Sequence, residues 1–378
     1  MTVVFFTLVF LVLYHYLLFP ILTFIWAAVA EKPVQKGPVL PSVSLVVAAY
    51  NEEKVIDAKL KNCFELDYPL DKLEVIIVSD GSTDRTPQIV ENYRGRGVIG
   101  LYDAPRKGKT AALNRGVARA RGDIILFSDA NSIYEAQAIK LLVRNFQDPS
   151  VGGVCGRKRI VGNSKRESSR GDSLFWDFES RIKVQQSRIG SITTGDGEIF
   201  AVRRTLYQEI PPDVINDDTA ITLNILQKGY RVIYEPEAVS NEEASLVLED
   251  DFKVKARLVA GGYQTLALYP DVLFSRLNFF ALQFLSHKVL RWSMPMLLIP
   301  LYAVNLFLLE GIFRYAFAGQ SVFYLAGGIG YALKRSGRSP GVSYLPLYYC
   351  SMNAAALVGF FYFMTKRAGT HIWKKAKR

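Results

Sequence analysis

Apolar residues are concentrated towards the two ends of the chain, and this distribution limits its fold more than any other feature. Residues 3–30 are nearly all apolar, as is most of the stretch from about 279 to 364, whereas the residues between them are mixed and charged. About 20 consecutive apolar residues suffice for a helix to cross a bilayer. We therefore expect a membrane protein with one water-exposed domain between its membrane segments.

The N-terminal segment, residues 1–30, is expected to be an uncleaved transmembrane anchor. It contains His15 but no side chain that is always charged. Residues 28–30 resemble a signal-peptidase site, yet the segment lacks a basic N-terminal region and is too long for a usual signal-peptide core. Lys32 and Lys36 follow it, so the positive-inside rule places the domain in the cytoplasm, in a multi-pass protein of the inner (plasma) membrane.

The C-terminal region, residues 293–364, contains three candidate membrane helices at roughly 293–310, 315–333 and 343–364. The preceding segment, 271–292, mixes aromatic and basic side chains, which is typical of an amphipathic helix at the membrane interface or of a helix packed on the domain. Lys334, Arg335 and Arg338 indicate a cytoplasmic loop, so a third full crossing would place the basic tail, 365–378, outside. Two or three crossings are therefore both compatible with the sequence.

Charge and cysteine content exclude several classes of function. The formal net charge is +11 at pH 7, but no nucleic-acid motif is present, and the basic tail suits membrane-lipid headgroups. Three scattered cysteines without ligand spacing argue against a disulfide scaffold or a zinc site. We expect no nucleic-acid partner and a reducing compartment.

The central part, residues 40–270, has the pattern of an α/β domain. Between about 43 and 161 short β-rich runs alternate with helical patterns, one of them starting at Glu52, which predicts a mostly parallel sheet with helices on both faces. In such sheets ligands bind beyond the carboxyl ends of the strands. Three successive strand ends carry the polar clusters Tyr50-Asn51-Glu52, Asp80 and Asp129. The "GKT" at 108–110 is not a P-loop, because Asp103 stands where that motif needs a glycine.

Seven motifs in this order resemble those of family 2 glycosyltransferases, the inverting, nucleotide-sugar-dependent group with a GT-A fold. They are AAYNEE (48–53), VSDGSTD (78–84), KGKTAALNRG (107–116), FSDANS (127–132), TGDGEIFAVRR (194–204), NDD (216–218) and ARLVAGGYQ (256–264). The resemblance covers roughly residues 40–265. With the flanking apolar helices, the chain is similar to the membrane-integrated branch that makes exopolysaccharides, which includes hyaluronan- and cellulose-synthase-like proteins.

The resemblance implies a donor site for a UDP-sugar. Asp80 would accept a hydrogen bond from uracil, with Tyr50, Asn51 and Glu52 around the base and ribose; Asn51 also suits a helix N-cap. Lys107 and Lys109 would meet phosphate, although a solvated basic turn is an equally good interpretation of either one alone.

A metal site is implied at the same edge of the sheet. Asp129 and Asn131 correspond to the family's DxD motif, where Mg²⁺ or Mn²⁺ would neutralise the diphosphate. Asn131 replaces the second carboxylate, so we expect metal dependence to be retained with less charge behind it. A simple turn is the alternative role of these two residues.

The resemblance places the catalytic base at Asp218, at a helix start, where Asp217 beside it would raise the pKa; one of the two alternatively only caps the helix. Asp196 and Gly197 fall in the acceptor region. Arg257 would brace the diphosphate as the arginine of a QxxRW-type motif. Leu258 stands in place of the tryptophan of that motif, so Tyr263 or Trp176 would have to provide the aromatic platform for the acceptor, unless they pack in the core.

These features predict a membrane-bound enzyme, an inverting hexosyltransferase that adds sugar to a growing extracellular polysaccharide. The alternative is a non-processive transferase acting on a polyprenyl-phosphate or other lipid-linked acceptor. A third possibility, a non-catalytic membrane binding protein, is favoured only by the missing carboxylate and tryptophan. The sugar, the linkage and the oligomeric state are not encoded in any of these motifs.

Overall fold

The computed structural model describes residues 1–161, 167–243, 248–273 and 278–365. The predicted basic tail, apart from Thr365, lies outside the described residues, as do residues 274–277 of the predicted 271–292 segment.

The strands of the described ranges form one sheet in the order β3-β2-β1-β4-β7-β6-β8-β5. Strands β1 to β4 pair in parallel, as predicted, whereas β7 runs antiparallel to both β4 and β6, and β5 runs antiparallel to β8. The sheet is therefore mixed, with a parallel half and a half that contains reversed strands. The strands are Val43–Ala49 (β1), Leu73–Asp80 (β2), Val98–Asp103 (β3), Ile124–Asp129 (β4), Ile133–Tyr134 (β5), Val151–Val161 (β6), Phe200–Arg203 (β7) and Arg231–Glu243 (β8).

Helices cover both faces of this sheet. In the domain they are Ile56–Glu65 (α3), Thr86–Glu91 (α4), Lys109–Arg119 (α5), Ala138–Val143 (α6), Glu167–Ile189 (α7), Asp217–Gln227 (α8) and Leu248–Leu268 (α9). Outside it they are Thr2–Leu13 (α1), Phe19–Val29 (α2), Asn278–Phe284 (α10), Leu290–Trp292 (α11), Met294–Leu306 (α12), Gly311–Arg335 (α13) and Tyr344–Met364 (α14).

The core consists of two apolar layers, one on each face of the sheet. Leu45 and Val47 of β1 belong to one layer and Val46 to the other, and all three side chains are fully buried. Successive residues of a strand point to opposite faces, so a strand buried on both sides must be apolar throughout. This is why the parallel strands are continuous apolar runs in the sequence, and the prediction of an α/β fold with both faces covered is confirmed.

Among the described residues, two helices are long and apolar enough to cross a membrane, and a bent pair provides a third candidate. The two helices are Thr2–Val29, which contains α1 and α2, and Gly341–Met364, which contains α14. The bent pair is Phe279–Trp292 with Met294–Leu306, and the angle between its two parts is 62°. The predicted segment at 315–333 does form part of a helix, α13, but that helix is not among these candidates. How many helices cross a membrane, and in which direction, stays a prediction.

The 271–292 segment contacts the domain through a buried charge cluster. Glu179 of α7, which is 2% exposed, binds Lys288 and Arg291, the latter at 2.8 Å. Burial alone would raise the pKa of Glu179, but Arg291 and Lys288 hold it well below its usual range. Lys288 and Arg291 thus pack on the domain, which is one of the two alternatives for this segment; a position along the membrane interface stays a prediction.

Candidate active site

The carboxyl ends of the first parallel strands meet at one edge of the sheet. Ala49 of β1 lies opposite Ser79 of β2, and Ala48 lies opposite Asp129 at the end of β4. The parallel register therefore brings the predicted clusters of three strands together, although they are up to about 80 residues apart in the sequence.

Asp80 fixes the loop that follows β3. Its side chain is buried and accepts hydrogen bonds from the backbone N–H groups of Lys107, at 3.0 and 3.1 Å, and of Gly108, at 2.7 Å. Arg115 of α5 donates to the same carboxylate at 3.3 Å. In this structure Asp80 therefore positions the loop after β3. Its contact with uracil stays a prediction.

The Tyr50–Glu52 turn is joined to the loop after β2. Asn51 adopts a left-handed backbone conformation, with φ of 53°, and its side-chain oxygen accepts a hydrogen bond from the backbone N–H of Thr83 at 2.8 Å. The alternative role of Asn51 as an N-cap is wrong, because the next helix begins only at Ile56. The backbone N–H of Glu52 donates to the Thr86 hydroxyl at 2.8 Å.

An arginine that the motifs did not indicate covers Tyr50. The guanidinium carbon of Arg106 lies 3.8 Å from the centre of the Tyr50 ring, a cation–π contact. The only signal for it in the sequence is its position next to Lys107. The stacked pair lies where the base of the donor is predicted to bind.

The two lysines of the KGK motif have different surroundings. Lys107 is half-exposed and pairs with Asp103 at 2.8 Å, which matches the solvated basic turn. Lys109 reaches into the site, where its ammonium group lies 2.6 Å from a carboxylate oxygen of Asp129. Burial alone would lower the pKa of Lys109, but Asp129 and Asp217 raise it, so the side chain stays charged.

Asp129 has the surroundings of a carboxylate that binds a cation. Its side chain is 35% exposed, it already holds the ammonium group of Lys109, and Asn131 follows two residues later. Oxygen donors of this kind suit Mg²⁺ and Mn²⁺. Within the described residues no group of three or more His, Cys, Asp or Glu side chains is placed to hold a metal. The residues fit an ion that takes only one or two ligands from the protein and the others from phosphate and water, as Mg²⁺ commonly does.

Asp217 and Asp218 lie at the first turn of α8, next to Lys109. All three side chains surround Gly197. A Cβ atom built on Gly197 would lie 3.5 Å from the Lys109 ammonium, 3.6 Å from an Asp217 oxygen and 3.7 Å from the Asp218 Cβ. Burial, Asp217 and Asp196 raise the pKa of Asp218 to about 6, against the opposing effect of Lys109. A carboxylate with this pKa can accept a proton near neutral pH. Asp218 Oδ1 also accepts the Thr219 N–H at 2.6 Å, so its position is fixed by its own helix.

Arg257 of α9 belongs to the same electrostatic group. Burial lowers its pKa, and the charges of Asp129, Asp217 and Asp218 oppose that effect. Its buried Nε has no hydrogen-bond partner among the described residues. An unpaired guanidinium N–H close to the charge of Asp129 is what a diphosphate-binding arginine would offer.

Of the four predicted acceptor residues, Tyr263 differs from Asp196, Gly197 and Trp176 in packing against a C-terminal helix. Asp196 binds the buried ammonium of Lys183 at 2.6 Å, and Gly197 adjoins the Asp217–Asp218 pair. Trp176 is partly exposed, with the ammonium of Lys158 lying 5.0 Å from the centre of its ring. Tyr263, in contrast, packs against Phe360 and Phe363 of α14, with ring centres 5.3 and 5.8 Å away. The core interpretation therefore fits Tyr263, while Trp176 stays available as a platform.

A second cluster, two of whose residues lie outside the motifs, adjoins Asn131. Its amide Nδ2 donates to Glu242 of β8 at 2.9 Å, and Lys158 of β6 binds both Glu242 and Glu198. Glu198 follows Gly197 directly, so its motif was a signal for it. Lys158 and Glu242 carried none, because they meet only through the pairing of β6 with β8.

This architecture is that of the GT-A glycosyltransferases. A mannosyltransferase, PcManGT, from Pyrobaculum calidifontis, solved in complex with GDP-Man and Mn²⁺, superposes with a TM-score of 0.71 and 22% sequence identity. The match covers 96% of this chain and 99% of that one, so it includes the helices outside the domain. The predicted GT-A fold class is confirmed.

The family follows from the sequence of the same domain. Residues 44–211 match the model of "Glycosyl transferase family 2". The chain therefore carries a glycosyltransferase family 2 domain, and the predicted class of enzyme is confirmed at the level of this domain.

Two curated relatives agree with this assignment. A probable glycosyltransferase of Bacillus subtilis (strain 168), YdaM, is 33% identical over 218 residues, which are 54% of this chain and 51% of the relative. The poly-beta-1,6-N-acetyl-D-glucosamine synthase of Staphylococcus aureus (strain COL) is 28% identical over 241 residues, or 62% of this chain and 58% of the relative. The aligned part thus spans little more than half the length of these relatives.

Proposed function

We propose that the protein is a membrane-bound inverting glycosyltransferase that transfers a sugar from a UDP-sugar, with Mg²⁺ or Mn²⁺, to a growing extracellular polysaccharide. The domain would face the cytoplasm beneath the inner membrane. The observation that carries this proposal is the group formed by Asp129, Lys109 and Asp218 at the carboxyl edge of the sheet. It combines a partly exposed carboxylate that suits a divalent cation, a fixed ammonium group and a carboxylate whose pKa of about 6 suits a general base.

Each residue of this group has a distinct part in a single displacement. Asp129 and Asn131 would hold the metal ion, which neutralises charge on the leaving diphosphate. Lys109 and Arg257 would bind phosphate oxygens from the protein side. Asp218 takes the proton of the acceptor hydroxyl while that oxygen bonds to the anomeric carbon and the bond to the diphosphate oxygen breaks, which inverts the configuration.

The polysaccharide acceptor is supported by a relative and by the packing of the helices. The relative is named a poly-beta-1,6-N-acetyl-D-glucosamine synthase. The apolar helix α14 lies directly on α9, which carries Arg257: a Cβ atom on Gly359 would come within 2.4 Å of the Ala256 carbonyl oxygen. A product formed at this site would therefore arise close to an apolar helix.

A lipid-linked phosphate acceptor is the second candidate, and a specific contact favours it. Cations lie near both Phe175 and Trp176. The Lys255 ammonium lies 4.2 Å and the Arg291 guanidinium 5.5 Å from the Phe175 ring centre, and the Lys255 ammonium is 5.7 Å from the Trp176 ring centre. Basic and aromatic groups beside membrane helices suit an acceptor with a phosphate head and an apolar tail.

The test is a donor and acceptor panel on the detergent-solubilised full chain. Release of nucleoside diphosphate would be measured with UDP-sugars and with GDP-sugars, each with Mn²⁺, Mg²⁺ or chelator, and the products would be sized. We expect metal-dependent release with one UDP-sugar and a ladder of long products. A single addition to a polyprenyl-phosphate would select the second candidate, a GDP-sugar would correct the donor, and release that persists in excess chelator would contradict the metal site.

A further inference from the structure

The amide of Asn131 has a fixed orientation. Its Nδ2 donates to Oε1 of Glu242 at 2.9 Å, and Glu242 is 2% exposed at the end of β8. Because a carboxamide is planar and its nitrogen is committed to Glu242, its carbonyl oxygen points away from that carboxylate. A side chain whose amide could otherwise rotate by half a turn is thereby held with its acceptor oxygen directed away from Glu242.

The carboxylate behind this amide is itself held in place by Lys158. Lys158 donates to Glu242 and, at 2.8 Å, to Glu198, whose side chain is 5% exposed. Two carboxylates and one ammonium group therefore lie together behind the Asn131 amide.

We propose that Glu242 is a positioning residue of the metal site, and that the pair of Asn131 and Glu242 replaces the second carboxylate of the DxD motif. Glu242 orients the Asn131 oxygen and places a carboxylate one hydrogen bond further out from the ion. The inference rests on the proposed metal dependence. It also explains why residue 131 is an asparagine, because an aspartate there would place two carboxylates in direct contact.

The two side chains can be exchanged to test this. In the variant Asn131→Asp two like charges meet, so we expect Mn²⁺ affinity to fall about tenfold, the lower end of what losing an outer-shell partner costs. In the double variant Asn131→Asp with Glu242→Gln the donor and acceptor roles are swapped, and affinity should return to within about threefold of the original, since the outer-shell hydrogen bond is present again. Glu243→Gln, at the exposed neighbouring position of β8, is the matched control and should change nothing.

The measurement is titration of free Mn²⁺ by electron paramagnetic resonance on the solubilised full chain with UDP present, beside thermal melting without metal. If Asn131→Asp binds Mn²⁺ more tightly than the original, or if the double variant is no better than Asn131→Asp, the inference is wrong. Melting separates a folding defect from a binding defect, and recovery of the melting temperature in the double variant would also support the pairing. The variant Asp129→Asn separates the two claims: unchanged Mn²⁺ binding in it would remove the metal site of the proposed function, whereas lost binding together with a failed exchange would remove only the role of Glu242.

Discussion

The raised pKa of Asp218 predicts an acid limb in the pH dependence of transfer. The base works only when ionised, so activity is present above the pKa and lost as the pH falls through it. With a pKa of about 6, the ionised fraction falls from about 0.91 at pH 7 to about 0.09 at pH 5, a roughly tenfold loss of kcat/KM. A carboxyl group at its ordinary pKa of about 3.9 would lose less than about a tenth of its activity over the same range.

Removing the charge of Asp217 should shift this acid limb in a direction that follows from the structure. It is buried beside Asp218, and its negative charge is a larger cause of the raised pKa of Asp218 than Asp196. The variant Asp217→Asn keeps the shape and removes the charge, so the acid limb should move to lower pH.

The assay is the initial rate of nucleoside diphosphate release at low donor concentration from pH 5 to pH 8, with Mn²⁺ binding and melting checked at each end. A flat profile between pH 5 and pH 7 would show that Asp218 is not raised or not the base. A limb that stays in place in Asp217→Asn would refute the electrostatic reasoning, even if the enzyme were active.

Two further predictions concern stability. Glu179→Gln leaves Lys288 and Arg291 buried without their counter-charge and should destabilise the fold by about 3–5 kcal/mol, seen as a lower melting temperature. Glu31→Gln breaks a surface pair with Arg188 and should lower the melting temperature much less. Equal shifts would contradict the assigned role of the cluster. Gly116→Ala in α5 would bring a Cβ atom within 2.4 Å of Val46 Cγ1 and should cost about 1–3 kcal/mol, whereas Gly95→Ala, with no atom within 4 Å, should be nearly neutral in the same melting experiment.

The parallel half of the sheet and its ligand edge could be predicted from the sequence because both depend on local patterns. Apolar runs such as 43–49 show strands buried on both faces, and the polar residues that end them must then lie at a common edge. The boundaries were less accurate: a helix expected from Glu52 begins at Ile56, because residues 50–53 instead bind the loop after β2.

The contacts that complete the site could not be predicted, since they join residues far apart in the sequence. Asn131 and Glu242 meet through the β5–β8 and β6–β8 pairings, and the antiparallel strands β5 and β7 have no distinct pattern of their own. Lys183 and Asp196 likewise meet only once α7 is packed on the sheet. Hydrophobic periodicity indicates that a segment is buried but not which buried polar group will be its partner.

The central claim is that Asp218 acts as the base of a metal-dependent transfer, and one measurement tests it most directly. The rate of nucleoside diphosphate release with Mn²⁺, with the best donor and acceptor of the panel, would be compared among the original protein, Asp218→Asn and Asp217→Asn. The account predicts that Asp218→Asn loses activity by about 100-fold or more, the usual contribution of a general base, while still binding Mn²⁺ and melting normally, and that Asp217→Asn retains activity. Full activity in Asp218→Asn, or loss in Asp217→Asn alone, would contradict it.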